Sequence, residues 1–96
     1  MRKAARIDAN QTAVVSALRA AGATVQSLAA VGDGVPDLLV GFRSATILME
    51  VKDAAQPPSK RRLTPDQRNW HGKWRGGALA TVDGPEAALR ALGCIQ

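Results

Sequence analysis

Two stretches, Gly34-Val35-Pro36-Asp37-Leu38-Leu39-Val40 and Thr46-Ile47-Leu48-Met49-Glu50-Val51-Lys52, decide how this chain is read. Pro36 has no N–H to give to a sheet, so it can only open a strand, and Asp37 to Val40 follows as that strand. A turn near Gly41 to Ser44 leads to the next one. Along it Ile47, Met49 and Val51 share a wholly apolar face, while Leu48, Glu50 and Lys52 share the other. Adjacent antiparallel strands joined by a short turn place the start of one beside the end of the next. Asp37 is therefore expected near Glu50 at one sheet edge, with Lys52 beside them. Alone, a Glu-x-Lys pair on a half-buried strand reads as a structural ion pair. A second carboxylate changes that reading, because two carboxylates in contact repel unless they share a proton or a cation bridges them. Hard oxygen ligands suit Mg²⁺ or Mn²⁺. Such an ion lowers the pKa of a bound water and offsets phosphate charge, and a nearby lysine orients that water or stabilises the transition state. The expected chemistry is metal-assisted phosphodiester hydrolysis.

Outward from this centre, residues 1–7 read as a loose basic lead-in. Asp8 to Gln11 forms a capping box, with Asp8 as N-cap. Gln11, Val14, Val15 and Leu18 then recur at the spacing of one helical face, and that helix stops near Gly22. Thr24 to Ala29 suits a first strand, and Gly32-Asp33-Gly34 a turn. The segment from Asp53 to Arg62, with Pro57-Pro58 and three consecutive cations, reads as a loop. Thr64-Pro65-Asp66-Gln67 is a second capping box with proline at the first helical position. Its helix carries Gln67, Trp70 and Trp74 on one stripe, leaves His71 on the surface, and ends at Gly76-Gly77. Ala78 to Val82 is a last strand, and a helix from Gly84 to Gly93 closes the order α-β-β-β-α-β-α. The first three strands suit a meander, and the fourth, after a helical crossover, joins in parallel. The expected class is α/β, a mixed sheet flanked by helices.

The 96 residues make one domain, 46% apolar, with only Phe42, Trp70 and Trp74 as aromatics. The two tryptophans are expected in a core otherwise built from Ala, Val and Leu. So thin a core makes oligomerisation a natural supplement. Cys94, the one cysteine, reads as a small, partly buried hydrophobe and makes no zinc set with His71. No apolar run approaches a membrane span and no signal peptide opens the chain, so a soluble, cytoplasmic protein without a membrane partner is expected. Thirteen Lys and Arg against eight Asp and Glu leave a net charge of +5. The cations cluster at Arg2-Lys3-Arg6, at Lys60-Arg61-Arg62, and along Arg68, Lys73 and Arg75, a distribution that suits nucleic acid or a merely solvated basic surface.

Gly34-Val35-Pro36-Asp37 followed by Glu50-Val51-Lys52, thirteen residues beyond the aspartate, resembles the PD-(D/E)XK nuclease signature. The segment Leu63 to Gln67 followed by Trp70 is similar to the stand-alone, phage-type VRR-NUC branch, related to Holliday junction resolvases. The resemblance spans nearly the whole chain and implies a restriction-endonuclease-like core with an added C-terminal helix. It implies that Asp37, Glu50 and the Val51 carbonyl hold Mg²⁺ or Mn²⁺, that Lys52 acts on the attacking water, and that Gln67 lies beside the active site. It further implies a homodimer hydrolysing branched DNA, in a bacterial or phage-infected cell. One position departs from the pattern: the family's first-helix glutamate is matched by Gln11, whose amide can coordinate a metal but brings no charge. Gln11 either reaches the site or only caps its helix, and Asp8 is either a cap or a substitute ligand.

Lys60, Arg61 and Arg62 follow Lys52 on the catalytic side, and with Arg68 and Lys73 they are the expected phosphate contacts. With no aromatic in that loop, recognition should follow backbone and shape. Two rival readings stand beside the nuclease. A catalytically silent nucleic-acid-binding module would explain Gln11, and a plain interaction domain would leave Glu50 and Lys52 as an exposed ion pair.

Overall fold

The computed structural model describes residues 9–95. The basic lead-in, Asp8 and its expected cap or ligand role lie outside the described residues. Helix α1 (Ala9–Ala20) is followed by β1 (Thr24–Ser27), β2 (Leu38–Phe42) and β3 (Ala45–Val51). A one-turn helix α2 (Pro58–Arg61), then α3 (Pro65–Lys73), β4 (Ala78–Val82) and α4 (Pro85–Leu92) complete the chain. The sheet runs in the order β1-β2-β3-β4. Its first three strands are an antiparallel meander and β4 pairs with β3 in parallel. This is the expected α/β order, compatible with a restriction-endonuclease-like core. No described helix is long and apolar enough to cross a membrane.

The β2–β3 register is set by a two-residue turn. Arg43 and Ser44 both have positive φ, 50° and 68°, as a type I′ hairpin requires. Arg43 then folds back over the Phe42 ring, its guanidinium carbon 4.8 Å from the centroid. That turn pairs Leu38 with Met49, so Asp37 falls opposite Glu50, one step beyond the ladder. Leu38, Val40, Ile47 and Met49 face α1 and α4, where Val14, Leu18 and Ala88 complete a fully buried layer. α1 is held at the site end by Asn10, whose Nδ2 donates to the carbonyls of Lys52 (2.7 Å) and Asp83 (3.2 Å).

Several sequence expectations need correction. The segment from Asp53 to Arg62 is not loop throughout, because Pro58 opens a helical turn holding Lys60 and Arg61. Proline there forgoes an N–H the turn would not have used. α3 ends at Lys73, before Gly76-Gly77: Trp74 turns extended, and its indole covers Gly76 and donates to the Gly77 carbonyl at 2.9 Å. Trp70 and Trp74 lie outside the main core cluster. They are half-buried and stacked on each other, centroids 5.2 Å apart at 17°. β3 buries both faces rather than one, since Ile47, Leu48, Met49 and Glu50 are all buried. Cys94 is exposed, beyond the Gly93 cap.

Candidate active site

Glu50 is the centre of the site. Its residue is only 1% exposed, on the sheet face opposite the α1–α4 core, and α3 covers that face. Asp37, half-buried at the head of β2, is clamped in place, since its Oδ2 accepts the Val51 N–H at 2.8 Å and its own carbonyl accepts from Leu28 at 2.7 Å. Burial first, then hydrogen bonding toward Asp37 and the charge of Asp37, push the Glu50 carboxyl up from 4.5 to about 8, only partly offset by Lys52. Without a cation Glu50 therefore favours its neutral, protonated form at neutral pH.

Gln67 has both of the roles between which the sequence left a choice. Its backbone N–H donates to Thr64 Oγ1 (3.2 Å) while its Oε1 accepts the Thr64 N–H (2.8 Å), closing the capping box. The same Oε1 accepts from Lys52 Nζ at 2.7 Å, and Nε2 donates to Glu50 Oε2 at 3.0 Å. A flipped amide would set NH₂ against both the ammonium and the Thr64 N–H, so donors and acceptors fix its orientation. Glu50 and Lys52 are thus bridged through Gln67, and no direct salt bridge joins them among the described residues. The rival reading of an exposed ion pair fails here, because Glu50 is buried.

Gly34 is what lets α3 come so close. It has φ +84°, and a Cβ there would overlap the Asp66 carbonyl and lie 2.9 Å from the Gln67 nitrogen. The Gly-x-Pro-Asp run therefore serves the site twice: the glycine seats the helix that carries Gln67, and the aspartate reaches Glu50.

His71 corrects the expectation of a surface residue. One helical turn beyond Gln67, its side chain is 13% exposed and its Nε2 lies 3.8 Å from Glu50 Oε1. Both atoms are buried and neither has a hydrogen-bond partner. Burial and the charge of Lys52 lower the imidazole below its usual 6.5, favouring the neutral ring. The signal was present in the sequence, since residues 67 and 71 share a helix face, but the tryptophan stripe drew the helical wheel elsewhere. Asn10 carried no such signal.

The remaining candidates separate. Gln11, 8% exposed, lines a cleft of about 280 Å³ with Arg19, Ser27 and Leu38, the residue after Asp37. Val51 enters the site by its N–H, bound to Asp37; its carbonyl is the ligand the resemblance implies. Lys60, Arg62, Arg68 and Lys73 are exposed, while Arg61 is half-buried with its Nε unpartnered. Three His, Cys, Asp or Glu side chains do not close into a metal cluster among the described residues. The donor set still fits a divalent ion: two adjacent carboxylates, one with a buried oxygen lacking any partner, are what a cation would reconcile. Against known proteins, no family model, curated protein or solved structure matches the chain.

Proposed function

We propose that this protein is a metal-dependent DNA endonuclease, cutting phosphodiester bonds in branched or otherwise irregular DNA. The observation that carries the reading is the buried Glu50 beside half-buried Asp37, with Lys52 tied to Glu50 through Gln67. A structural ion pair would have no use for a second carboxylate set beside a buried first one, where each extra like charge is costly. Asp37, Glu50 and the Val51 carbonyl would hold Mg²⁺ or Mn²⁺; Gln11, which the resemblance suggests as a further donor, lines the cleft on the α1 side of the sheet. The ion, when bound, supplies an acidified water and charge neutralisation at phosphorus. Gln67 holds the Lys52 ammonium at the edge of the site, where it orients the nucleophile or meets the charge developing on the phosphate. Asp37 is itself oriented by the Val51 amide. Lys60, Arg61, Arg62, Arg68 and Lys73 would carry the DNA backbone, and a homodimer would offer two such sites to two strands. A cytoplasmic setting, in a bacterium or phage-infected cell, belongs to the same proposal.

The test is cleavage of end-labelled four-way junction, flap and linear duplex DNA with Mg²⁺, Mn²⁺ or EDTA. Wild type should cut only with metal, and Asp37→Asn and Lys52→Ala should each lose at least about a hundredfold in rate. If all three bind DNA and none cuts with either ion, the nuclease reading fails. A silent binding module, foreshadowed by Gln11, then takes its place.

A further inference from the structure

Two buried polar atoms at the centre of the molecule face each other without partners: Glu50 Oε1 and His71 Nε2, 3.8 Å apart. The separation is too long for a direct hydrogen bond. It suits a third atom between them. An ion about 2.1 Å from each would see them at roughly 130°, and closing the gap to about 3.4 Å brings that angle to tetrahedral. A bridging water would also satisfy both atoms, and metal binding to the full chain separates the two occupants. Lys52 Nζ hydrogen-bonds Gln67 Oε1 and makes no salt bridge with Glu50 among the described residues. We propose that His71 is a metal ligand, holding one divalent transition ion against Glu50 Oε1, and that the site consequently selects Mn²⁺ or Zn²⁺ over Mg²⁺. Imidazole nitrogen suits transition ions, whereas Mg²⁺ keeps to oxygen and water. This deepens the nuclease reading and relies on it only for the use to which the ion is put. The remaining coordination positions fall to water and a substrate oxygen, since no third His, Cys, Asp or Glu closes the set among the described residues.

His71 is the only histidine in the chain, so any imidazole signal on a bound ion has one source. The experiment is Mn²⁺ binding to the full chain, purified without a histidine tag, followed by continuous-wave EPR for affinity and pulsed EPR for ¹⁴N coupling. Wild type should show imidazole nitrogen modulation. His71→Ala should lose it and bind Mn²⁺ about ten- to a hundredfold more weakly, with Mg²⁺ affinity, read by competition, changing far less. The proposal is overturned if Mn²⁺ binds wild type without nitrogen modulation, if His71→Ala binds Mn²⁺ equally well, or if wild type takes up no Mn²⁺. The wild-type spectrum decides even if the variant folds poorly, and His71→Gln provides a second, milder substitution. Failure of the two readings is separable: nitrogen modulation without DNA cleavage sinks only the nuclease, and Mn²⁺-dependent cleavage without modulation sinks only His71.

Discussion

At the scale of single residues, the energetics turn on Glu50. Its folded carboxyl titrates near 8 against 4.5 in the unfolded chain, so the folded state holds a proton more tightly. The stability this lends is complete below pH 4.5 and is lost as pH rises toward 8. Thermal melts in EDTA should therefore show a falling midpoint across that interval. Glu50→Gln, which keeps the shape without the charge, should flatten the fall and melt higher than wild type above pH 8. Mn²⁺ should raise the wild-type midpoint most at alkaline pH and the variant's hardly at all. A pH-independent difference between the two proteins would contradict this account. Glu50, Lys52 and Asp37 were legible from the alternation of one strand and a proline. The partnership of His71 was not, because a side chain's neighbours across 21 positions of chain depend on how closely a helix settles on a sheet.

At the scale of elements, that settling is controlled by one missing methyl group. Gly34 and Gly32 both have positive φ, but only Gly34 faces the first turn of α3; space around Gly32 is open within 4 Å. Gly32→Ala should cost about 1 kcal/mol of conformational strain and leave any cleavage intact. Gly34→Ala adds an overlap with helix backbone, and should cost about 2–3 kcal/mol in a denaturant titration while moving Gln67 off Glu50 and Lys52. Equal effects of the two substitutions would show that the helix can retreat without penalty. The elements themselves were readable because each has local punctuation: Thr64 with Gln67 for a helix start, Gly93 for a stop, Pro36 before a strand. The errors came where a tertiary contact overruled such cues. Trp74 leaves its helix early to bond the Gly77 carbonyl, and the tryptophans pair with each other rather than joining the aliphatic core.

At the scale of the whole molecule, the charge of +5 makes salt dependence the test that separates a polyanionic partner from a merely solvated basic surface. If Lys60 and Arg62 each contact a phosphate, removing both should lower the slope of log affinity against log salt by about 2, irrespective of DNA shape. An unchanged slope would place the binding face elsewhere. Sedimentation of the 10.1 kDa chain with junction DNA should show two copies per junction; a strict 1:1 complex would remove the paired-cut model. The distribution of aromatic residues bears on how all of this can be watched. The chain has two tryptophans and no tyrosine, and both indoles stack at the end of the helix that carries Gln67 and His71. Practically all the near-ultraviolet emission of this protein therefore originates in one element of one site. Its intrinsic fluorescence is a built-in optical gauge of that helix, placed to report on whatever binds beside Gln67 and His71.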